Sequence, residues 1–155
     1  MFNENDSKIS RKAWYAFHDI RITLLPPLIK HMQDVCGVSE AEYQILIGIN
    51  SAPNKKTTPS QLAKAIGWDI ARVSHQVSRM EYKGLVNKKN SSEDARSFTL
   101  SLTNKGESLF KAAFPKQMKE VERLFGDALT TEQCKQLIEI ARAIKTNVKS
   151  KTTKG

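Results

Sequence analysis

Residues 69–82 concentrate side chains that can hydrogen-bond to nucleic acid. On a helical wheel, the apolar residues of this segment share one side: Ile70, Val73, Val77 and Met80. The opposite side carries Ala71, Arg72, His75, Ser78, Arg79 and Tyr82. Arginine donates a fork of hydrogen bonds to guanine, serine and histidine reach base edges or phosphates, and alanine contacts the thymine methyl. The pattern is typical of a DNA-reading helix, although an ordinary solvated helix face has the same composition.

A second candidate site lies in a polar loop, residues 90–96. In this loop Asp94 can accept hydrogen bonds from backbone amides and pair with Arg96. Arg96 is then positioned to enter a minor groove, where negative potential favours a guanidinium group. Lys88, on the segment before the loop, is a further DNA-binding candidate. An exposed arginine in a turn is ordinarily just solvated, but this one follows a basic helix at the distance a wing requires.

Two helices joined by a tight turn are predicted to position the first site. Ala63, Gly67 and Val73 have the spacing of a helix-turn-helix. The alanine lets the helices approach, the glycine permits the sharp turn, and the valine fills the angle between the helices. Asp69 is the predicted N-cap of the second helix, which should stop at Gly84.

The remaining elements follow from capping signals and from hydrophobic periodicity. Further helix starts are indicated by Ser39 with Glu42, Thr58 with Pro59 and Gln61, Thr103, and Thr130 with Gln133. Residues 85–89 and 98–102 predict the strands of a β-hairpin, and the last helix should reach about Val148. A first helix is predicted from Ser10 to about Met32, kinked or broken at Pro26 and Pro27.

The charge of the chain is concentrated where these elements lie. Residues 55–105 contain ten Lys and Arg against four Asp and Glu, and residues 145–155 contain four Lys and no acid, within a net charge of +9. A local basic surplus in a folded segment is expected of a phosphate-binding surface. The basic tail either reinforces DNA affinity through counterion release or only aids solubility.

Other functional classes find less support in the sequence. We expect no membrane span, because no apolar run approaches the length that a bilayer requires. The first residues do not resemble a secretory signal, so a cytoplasmic location is expected, where Cys36 and Cys134 stay reduced. Neither cysteine is expected to act as an oxidation sensor, and His18 and His31 are expected to have packing or surface roles, so no metal and no cofactor are predicted. No catalytic motif suggests an enzyme.

Several motifs together resemble the multiple-antibiotic-resistance regulator (MarR) family. They run from Val38 to Gly106 and comprise Ser-Glu-Ala-Glu-Tyr, Gln-Leu-Ala-Lys-Ala-Ile-Gly-Trp, Val-Ser-His-Gln-Val-Ser-Arg-Met-Glu, Lys-Gly-Leu-Val, Glu-Asp-Ala-Arg and Leu-Thr-Asn-Lys-Gly. The flanking helices fit the same family. The resemblance implies a mainly α fold with a small β-hairpin wing, a winged helix-turn-helix with N- and C-terminal dimerisation helices.

The resemblance also implies residue roles. The major-groove helix would use Arg72, Ser74, His75, Ser78 and Arg79. The wing would use Asp94 and Arg96, and the contacts to backbone phosphates would come from Thr58, Ser60 and Gln61. Such proteins are usually homodimeric repressors of double-stranded DNA targets, and many are released by a small aromatic or phenolic ligand. The alternative is a winged-helix interaction module that binds no specific DNA, which would leave the exposed arginines without a purpose.

The domain boundaries follow from these assignments. Residues 1–37 and 104–148 form the predicted dimerisation region, residues 38–103 the winged helix-turn-helix, and residues 149–155 a flexible basic tail. Apolar stripes at the chain ends support the dimer independently: Trp14, Phe17, Leu24, Leu25 and Leu28 near the start, and Leu137, Ile138, Ala141, Ile144 and Val148 near the end. A candidate effector pocket contains Trp14, His18 and Tyr43, although core packing explains the aromatic residues equally well.

Overall fold

The structure is a computed structural model that describes residues 4–90 and 98–152, with side chains described from Ser7 onward. Two compact units cover residues 1–118 and 119–155. The helices are α1 (Glu4–Asp34), α2 (Glu40–Asn50), α3 (Pro59–Ile66), α4 (Ile70–Tyr82), α5 (Asn104–Leu124) and α6 (Thr131–Thr152). The strands are β1 (Val86–Asn90) and β2 (Phe98–Leu102). Single turns of 3-10 helix at Pro53–Lys55 and Gly126–Ala128 were not anticipated. The mainly α fold with a β-hairpin is confirmed.

Side-chain caps fix the starts of the helices, as predicted. Ser39 and Thr58 each accept a hydrogen bond from the third helical amide, while Glu42 and Gln61 reach back to the N-cap amide. Thr130 forms the same reciprocal pair at the start of α6. Each cap satisfies amides that lack a partner within the first turn, which typically stabilises a helix by about 1 kcal/mol. These starts were predictable because both partners lie within four residues of each other.

Helix α1 continues through Pro26 and Pro27, so of the two predicted alternatives, a kink or a break, the break is absent. The two prolines lack the amides that would bond to the carbonyls of Ile22 and Thr23, yet helix is retained on both sides. Two buried residues that follow the prolines, Leu28 and Met32, hold the last turns of α1 against the rest of the first unit. Packing of this kind compensates for the missing hydrogen bonds.

Strands β1 and β2 form the predicted antiparallel hairpin, with Val86 opposite Leu102 and Asn90 opposite Phe98. Thr57 adds an isolated bridge to Leu100, with two backbone hydrogen bonds of 3.1 and 2.7 Å. This bridge joins the residue before the α3 cap to the middle of β2. The start of α3 and the hairpin are therefore held together by backbone hydrogen bonds.

Within the part of the chain that the structure describes, one hydrophobic core lies beneath the helix-turn-helix and the hairpin. Its members with no exposed surface are Ile45, Leu46, Ile49, Leu62, Val73, Met80 and Leu100. They come from α2, α3, α4 and β2, and Val86 of β1 is almost fully buried beside them, so each element of the winged region contributes to the core. Gly106, at the start of α5, lies so close to Leu85 that an added Cβ would overlap the Leu85 carbonyl oxygen.

Helix α6 contrasts with this core, because none of its described residues is buried. Its apolar residues Ile138, Ile144 and Val148 are each more than half exposed. The helix also continues to Thr152, four residues past its predicted end, so part of the basic tail is helical. Lysines in the last turn complement the negative end of the helix dipole, which favours this extension.

Candidate nucleic-acid interface

The turn between α3 and α4 has the geometry of a helix-turn-helix. Gly67 ends α3 with φ +71°, a left-handed conformation that favours glycine. The next residue, Trp68, donates its backbone N–H to the Ala63 carbonyl at 3.0 Å, which closes the turn. Ala63 and Val73 are both buried, in the positions that the predicted motif requires.

Helix α4 separates an apolar face from a polar face. Val73, Val77 and Met80 are fully or almost fully buried. The exposed residues of the helix include Arg72, Ser74, His75, Ser78, Arg79 and Tyr82. Four residues of this polar face line one open groove together with Lys83, the residue that follows α4: His75, Ser78, Arg79 and Tyr82. The structure therefore brings most of the predicted reading residues onto one accessible surface.

The burial of two residues on α4 was not predicted by the helical wheel. Ile70 was placed on the buried side but is 53% exposed, and Gln76 is buried although no role was assigned to it. A wheel gives the direction of a side chain around the helix axis, whereas burial also requires a neighbouring element at that turn. Ile70 is the first residue of α4. The core begins only with Val73, one turn later.

Arg72 is held at both its backbone and its side chain. Its amide donates to Asp69 Oδ1 at 2.7 Å, which confirms the predicted cap. Its guanidinium carbon lies 3.7 Å from the centre of the Trp68 ring. A cation over an aromatic face is attracted by the ring quadrupole. This contact was not predicted from the sequence, although an aromatic residue four positions before an arginine is a usable signal for it.

The end of α4 is tied to the start of α2 by a charged pair. Lys83 Nζ donates to a carboxylate oxygen of Glu42, and Lys105 Nζ donates to the Lys83 carbonyl at 2.9 Å. Burial of the Glu42 carboxyl raises its pKa, but hydrogen bonds from Lys83 and from the Ser39 amide and hydroxyl, with the Lys83 charge, outweigh burial. The pKa of Glu42 therefore lies below its ordinary value, so its carboxyl is ionised at neutral pH.

Of the DNA-binding residues predicted on the hairpin, Lys88 lies within the described part of the chain. Lys88 Nζ lies 4.1 Å from the centre of the Phe98 ring across the hairpin. The other two candidates of the predicted wing, Asp94 and Arg96, lie outside the described residues.

The three predicted phosphate contacts lie at the first turn of α3. Thr58 and Gln61 are partners in the capping box, so each already makes a hydrogen bond within the helix start. Ser60 is exposed between them. An open groove beside this turn is lined by residues that include Lys56 and Gln61. The positive charge of Lys56 favours an anion in this groove.

The candidate effector residues occupy different environments. Trp14 and His18 are exposed, one turn apart on α1, whereas Tyr43 is a buried core residue of α2. The Tyr43 hydroxyl has no hydrogen-bond partner in the described part of the chain. The predicted pocket therefore depends on what covers the exposed face of α1.

The cysteines and histidines take part in packing where their contacts are described. Cys36 Sγ lies 3.6 Å from the Ala113 carbonyl, and burial raises the pKa of its thiol, which lowers its reactive thiolate fraction. His31 Nδ1 lies 2.9 Å from Oε1 of the buried Gln117, whose amide donates to the Leu28 carbonyl. Among the described residues there is no cluster that could hold a metal ion, and no described helix is long and apolar enough to cross a bilayer.

Comparisons with known proteins agree with this geometry. Residues 38–98 match the model of the MarR family. The transcriptional repressor MprA of Escherichia coli K12 is 27% identical over 148 residues, which cover 88% of this chain and 82% of that protein.

Two solved structures share the fold over nearly the whole chain. AbsC, a MarR family transcriptional regulator from Streptomyces coelicolor, is 25% identical with a TM-score of 0.82 and covers 97% of this chain and 98% of its own. Sco3205, a MarR family regulator from the same organism solved in complex with DNA, is 24% identical with a TM-score of 0.82, over 96% and 94% of the two chains. The motifs, the winged helix-turn-helix and these relatives together show that the chain is similar to the MarR family of transcriptional regulators.

Proposed function

We propose that this protein is a repressor that binds a pseudo-palindromic site on double-stranded DNA as a homodimer. The observation that carries the proposal is the division of α4 into a buried apolar face and an exposed face of basic and polar residues. A helix with this division can enter a major groove without disturbing the core beneath it. The relative in complex with DNA and the relative named as a repressor support the same function.

The proposed contacts divide into base reading and phosphate binding. Arg72, Ser74, His75, Ser78 and Arg79 face the major groove in this proposal. The wing enters the adjacent minor groove, with Arg96 as the inserted side chain, Asp94 as its partner and Lys88 on a phosphate. The start of α3 contacts backbone phosphates through Thr58, Ser60 and Gln61.

Exposed apolar surface on the terminal helices supports the homodimer. On α1, Trp14 is 64% exposed and Phe17 is 55% exposed. On α6, Ile138 and Ile144 are exposed to a similar degree. Apolar residues in this number and spacing normally face a partner, and a second copy presents the same surface. A two-fold dimer would place two copies of α4 about 34 Å apart, one turn of duplex, which explains why a pseudo-palindromic target is proposed.

A small aromatic or phenolic effector is the second part of the proposal. The Tyr43 hydroxyl is buried and lacks a partner among the described residues, and a buried polar group of this kind is stabilised by a new hydrogen bond. A ligand with a hydroxyl or carboxylate would supply that bond, with Trp14 and His18 contributing from α1. The effector would release DNA by binding more tightly to the free dimer than to the DNA complex. Isothermal titration with phenolic acids tests this, and a Tyr43→Phe variant that binds them unchanged would contradict it.

The proposed function is tested by fluorescence anisotropy on a duplex from the gene's own promoter and on a scrambled duplex. We expect tighter binding to the promoter and a steep loss of affinity with salt. Arg79→Ala and Arg96→Ala should each weaken promoter binding by about tenfold, as expected for a lost base or groove contact of roughly 1–3 kcal/mol. Lys119→Ala removes an exposed cation to which no DNA contact is assigned, and it should have no effect.

The interaction-only alternative makes the opposite prediction. Such a module would bind both duplexes equally weakly, and neither arginine variant would matter. That result would exclude a sequence-specific repressor.

A further inference from the structure

Trp68 and Arg72 form a contact that spans the turn of the helix-turn-helix. Trp68 lies in the turn, is half-buried and packs against the hydrophobic core. Its position is fixed further by the hydrogen bond from its backbone N–H to the Ala63 carbonyl. The Arg72 guanidinium lies over the ring of this fixed residue at 3.7 Å. The guanidinium at the end of the long Arg72 side chain therefore contacts a ring that the core and the turn hold in place.

This attachment matters because an unrestrained arginine loses much conformational freedom when it binds. An arginine side chain has many rotamers, and its planar fork of donors is useful only in one orientation. The backbone of Arg72 is already fixed, since its amide is bound to Asp69 Oδ1 in the first turn of α4. With the side chain over Trp68, part of the ordering has occurred before any DNA arrives.

We propose that Trp68 is a positioning residue that determines base specificity by holding the Arg72 guanidinium over its ring, ready to donate its fork to a guanine. This inference rests on the proposed DNA-binding function and adds to it a residue that contacts no base. A ring contacts the guanidinium through its face and does not accept its in-plane N–H donors, so a guanidinium stacked on Trp68 can still donate to the O6 and N7 acceptors of guanine.

A second cation–aromatic contact, in the hairpin, can be compared with the contact between Trp68 and Arg72. Lys88 lies over Phe98 at 4.1 Å, which is the same kind of contact with a different cation. An ammonium is a compact point charge without a planar fork, so its orientation matters less than its position. Phe98 should therefore influence general phosphate affinity, whereas Trp68 should influence the choice of base. Among the described residues, these two pairs are the cation–aromatic contacts.

The first experiment tests the contact without DNA. In a Trp14→Phe background, Trp68 is the remaining tryptophan of the chain. Adding Arg72→Ala should change the Trp68 emission, because it removes a cation from the ring face, whereas adding Arg79→Ala should leave the emission unchanged. Identical spectra for all three proteins would overturn the contact itself, whatever the protein binds.

The second experiment tests the consequence for base choice. Anisotropy is measured on the operator and on duplexes in which each G·C pair of a half-site is replaced in turn. Trp68→Leu should lower operator affinity about two- to fivefold, the range of an exposed cation–π contact, and lower discrimination at one G·C pair. The slope of affinity against salt should not change, because no charge is lost. Trp68→Phe should retain most of the discrimination.

A double-mutant cycle separates positioning from a loss of folding. In an Arg72→Ala background, Trp68→Leu should cause no further loss of discrimination at that base pair. An equal loss in both backgrounds, or unchanged discrimination in Trp68→Leu alone, would overturn the inference. Phe98→Leu is the matched control, expected to weaken all duplexes alike. If the wild-type protein itself does not distinguish operator from scrambled DNA, the proposed function fails along with this inference, whereas failure in the variants alone leaves the function intact.

Discussion

The winged region and α6 differ in how much of their apolar surface is buried within one chain. In the winged region, α2, α3, α4 and the hairpin bury most of their large apolar residues within one chain, and Ile45, Leu46 and Ile49 have no exposed surface. In α6 no described residue is buried, although Ile138 and Ile144 are as apolar as those core residues. The winged region therefore buries its core within one copy of the chain, whereas the apolar residues of α6 are not covered within one copy.

The largest effect should come from charging the apolar stripe of α6. Ile144→Asp would bury a carboxylate at the proposed dimer interface, so the dimer should dissociate. Losing the second reading helix should weaken operator binding at least a hundredfold, since linked sites gain affinity through effective concentration. Light scattering and anisotropy measure the two effects. Thr146→Asp adds the same charge on the other side of the helix and should change neither; a dimer that survives Ile144→Asp would refute this assignment of α6.

The second prediction compares two leucines directly. Leu46 is fully buried, so Leu46→Ala should reduce the free energy of unfolding by about 2–5 kcal/mol through lost contacts and a cavity. Leu137 is 39% exposed, so Leu137→Ala should act mainly on association. Chemical denaturation at several protein concentrations distinguishes them, because only the second loss should depend on concentration. Equal, concentration-independent losses would remove the contrast between the regions.

A third prediction compares an alanine substitution at Gly106, which packs against the winged region, with one at Gly126, just before α6. An added Cβ at Gly106 meets the backbone carbonyl of Leu85, which cannot move without shifting the hairpin. Gly106→Ala should therefore reduce the free energy of unfolding by about 1–3 kcal/mol. At Gly126 an added Cβ meets only the carboxylate end of the Glu122 side chain, which can rotate away. Gly126→Ala should be close to neutral in thermal denaturation, and a larger loss there than at Gly106 would contradict this account.

The smallest effect concerns the pH dependence of the Glu42 and Lys83 pair. Because the pKa of folded Glu42 is held below its ordinary value of 4.5, the pair stabilises the fold above that value. This contribution is lost as pH falls through the lower, folded pKa. Glu42→Gln keeps the capping partner but removes the charge, and should cost about 1 kcal/mol at pH 7. The difference between the two proteins in urea denaturation should shrink towards pH 3; a constant difference would exclude the charge as its cause.

Much of the winged region was predictable because its signals are local. The caps at Ser39, Thr58 and Asp69 and the turn at Gly67 each involve partners a few residues apart. The hairpin followed from its alternating pattern. These interactions need no knowledge of distant segments, so sequence periodicity and residue type are sufficient to place them.

The features that were not predicted from the sequence depend on where other structural elements end or lie. Ile70 is exposed because the core starts one turn after it, and α1 continues through its prolines because later residues pack. The bridge from Thr57 to Leu100 joins segments that are distant in sequence. Of the candidate site, the exposed face of α4 was predictable, and the support that Trp68 gives to Arg72 was overlooked although both residues lie in the motif.

The two faces of α4 also bear on how such a regulator can change over evolutionary time. Val73, Val77 and Met80 are constrained by the core, whereas Ser74, His75, Ser78 and Arg79 are exposed to solvent. Substitutions at the exposed positions are expected to change free energy of unfolding by no more than about 0.5 kcal/mol. Target preference can therefore drift after gene duplication while the scaffold is conserved, so paralogues with one fold can acquire separate sets of genes.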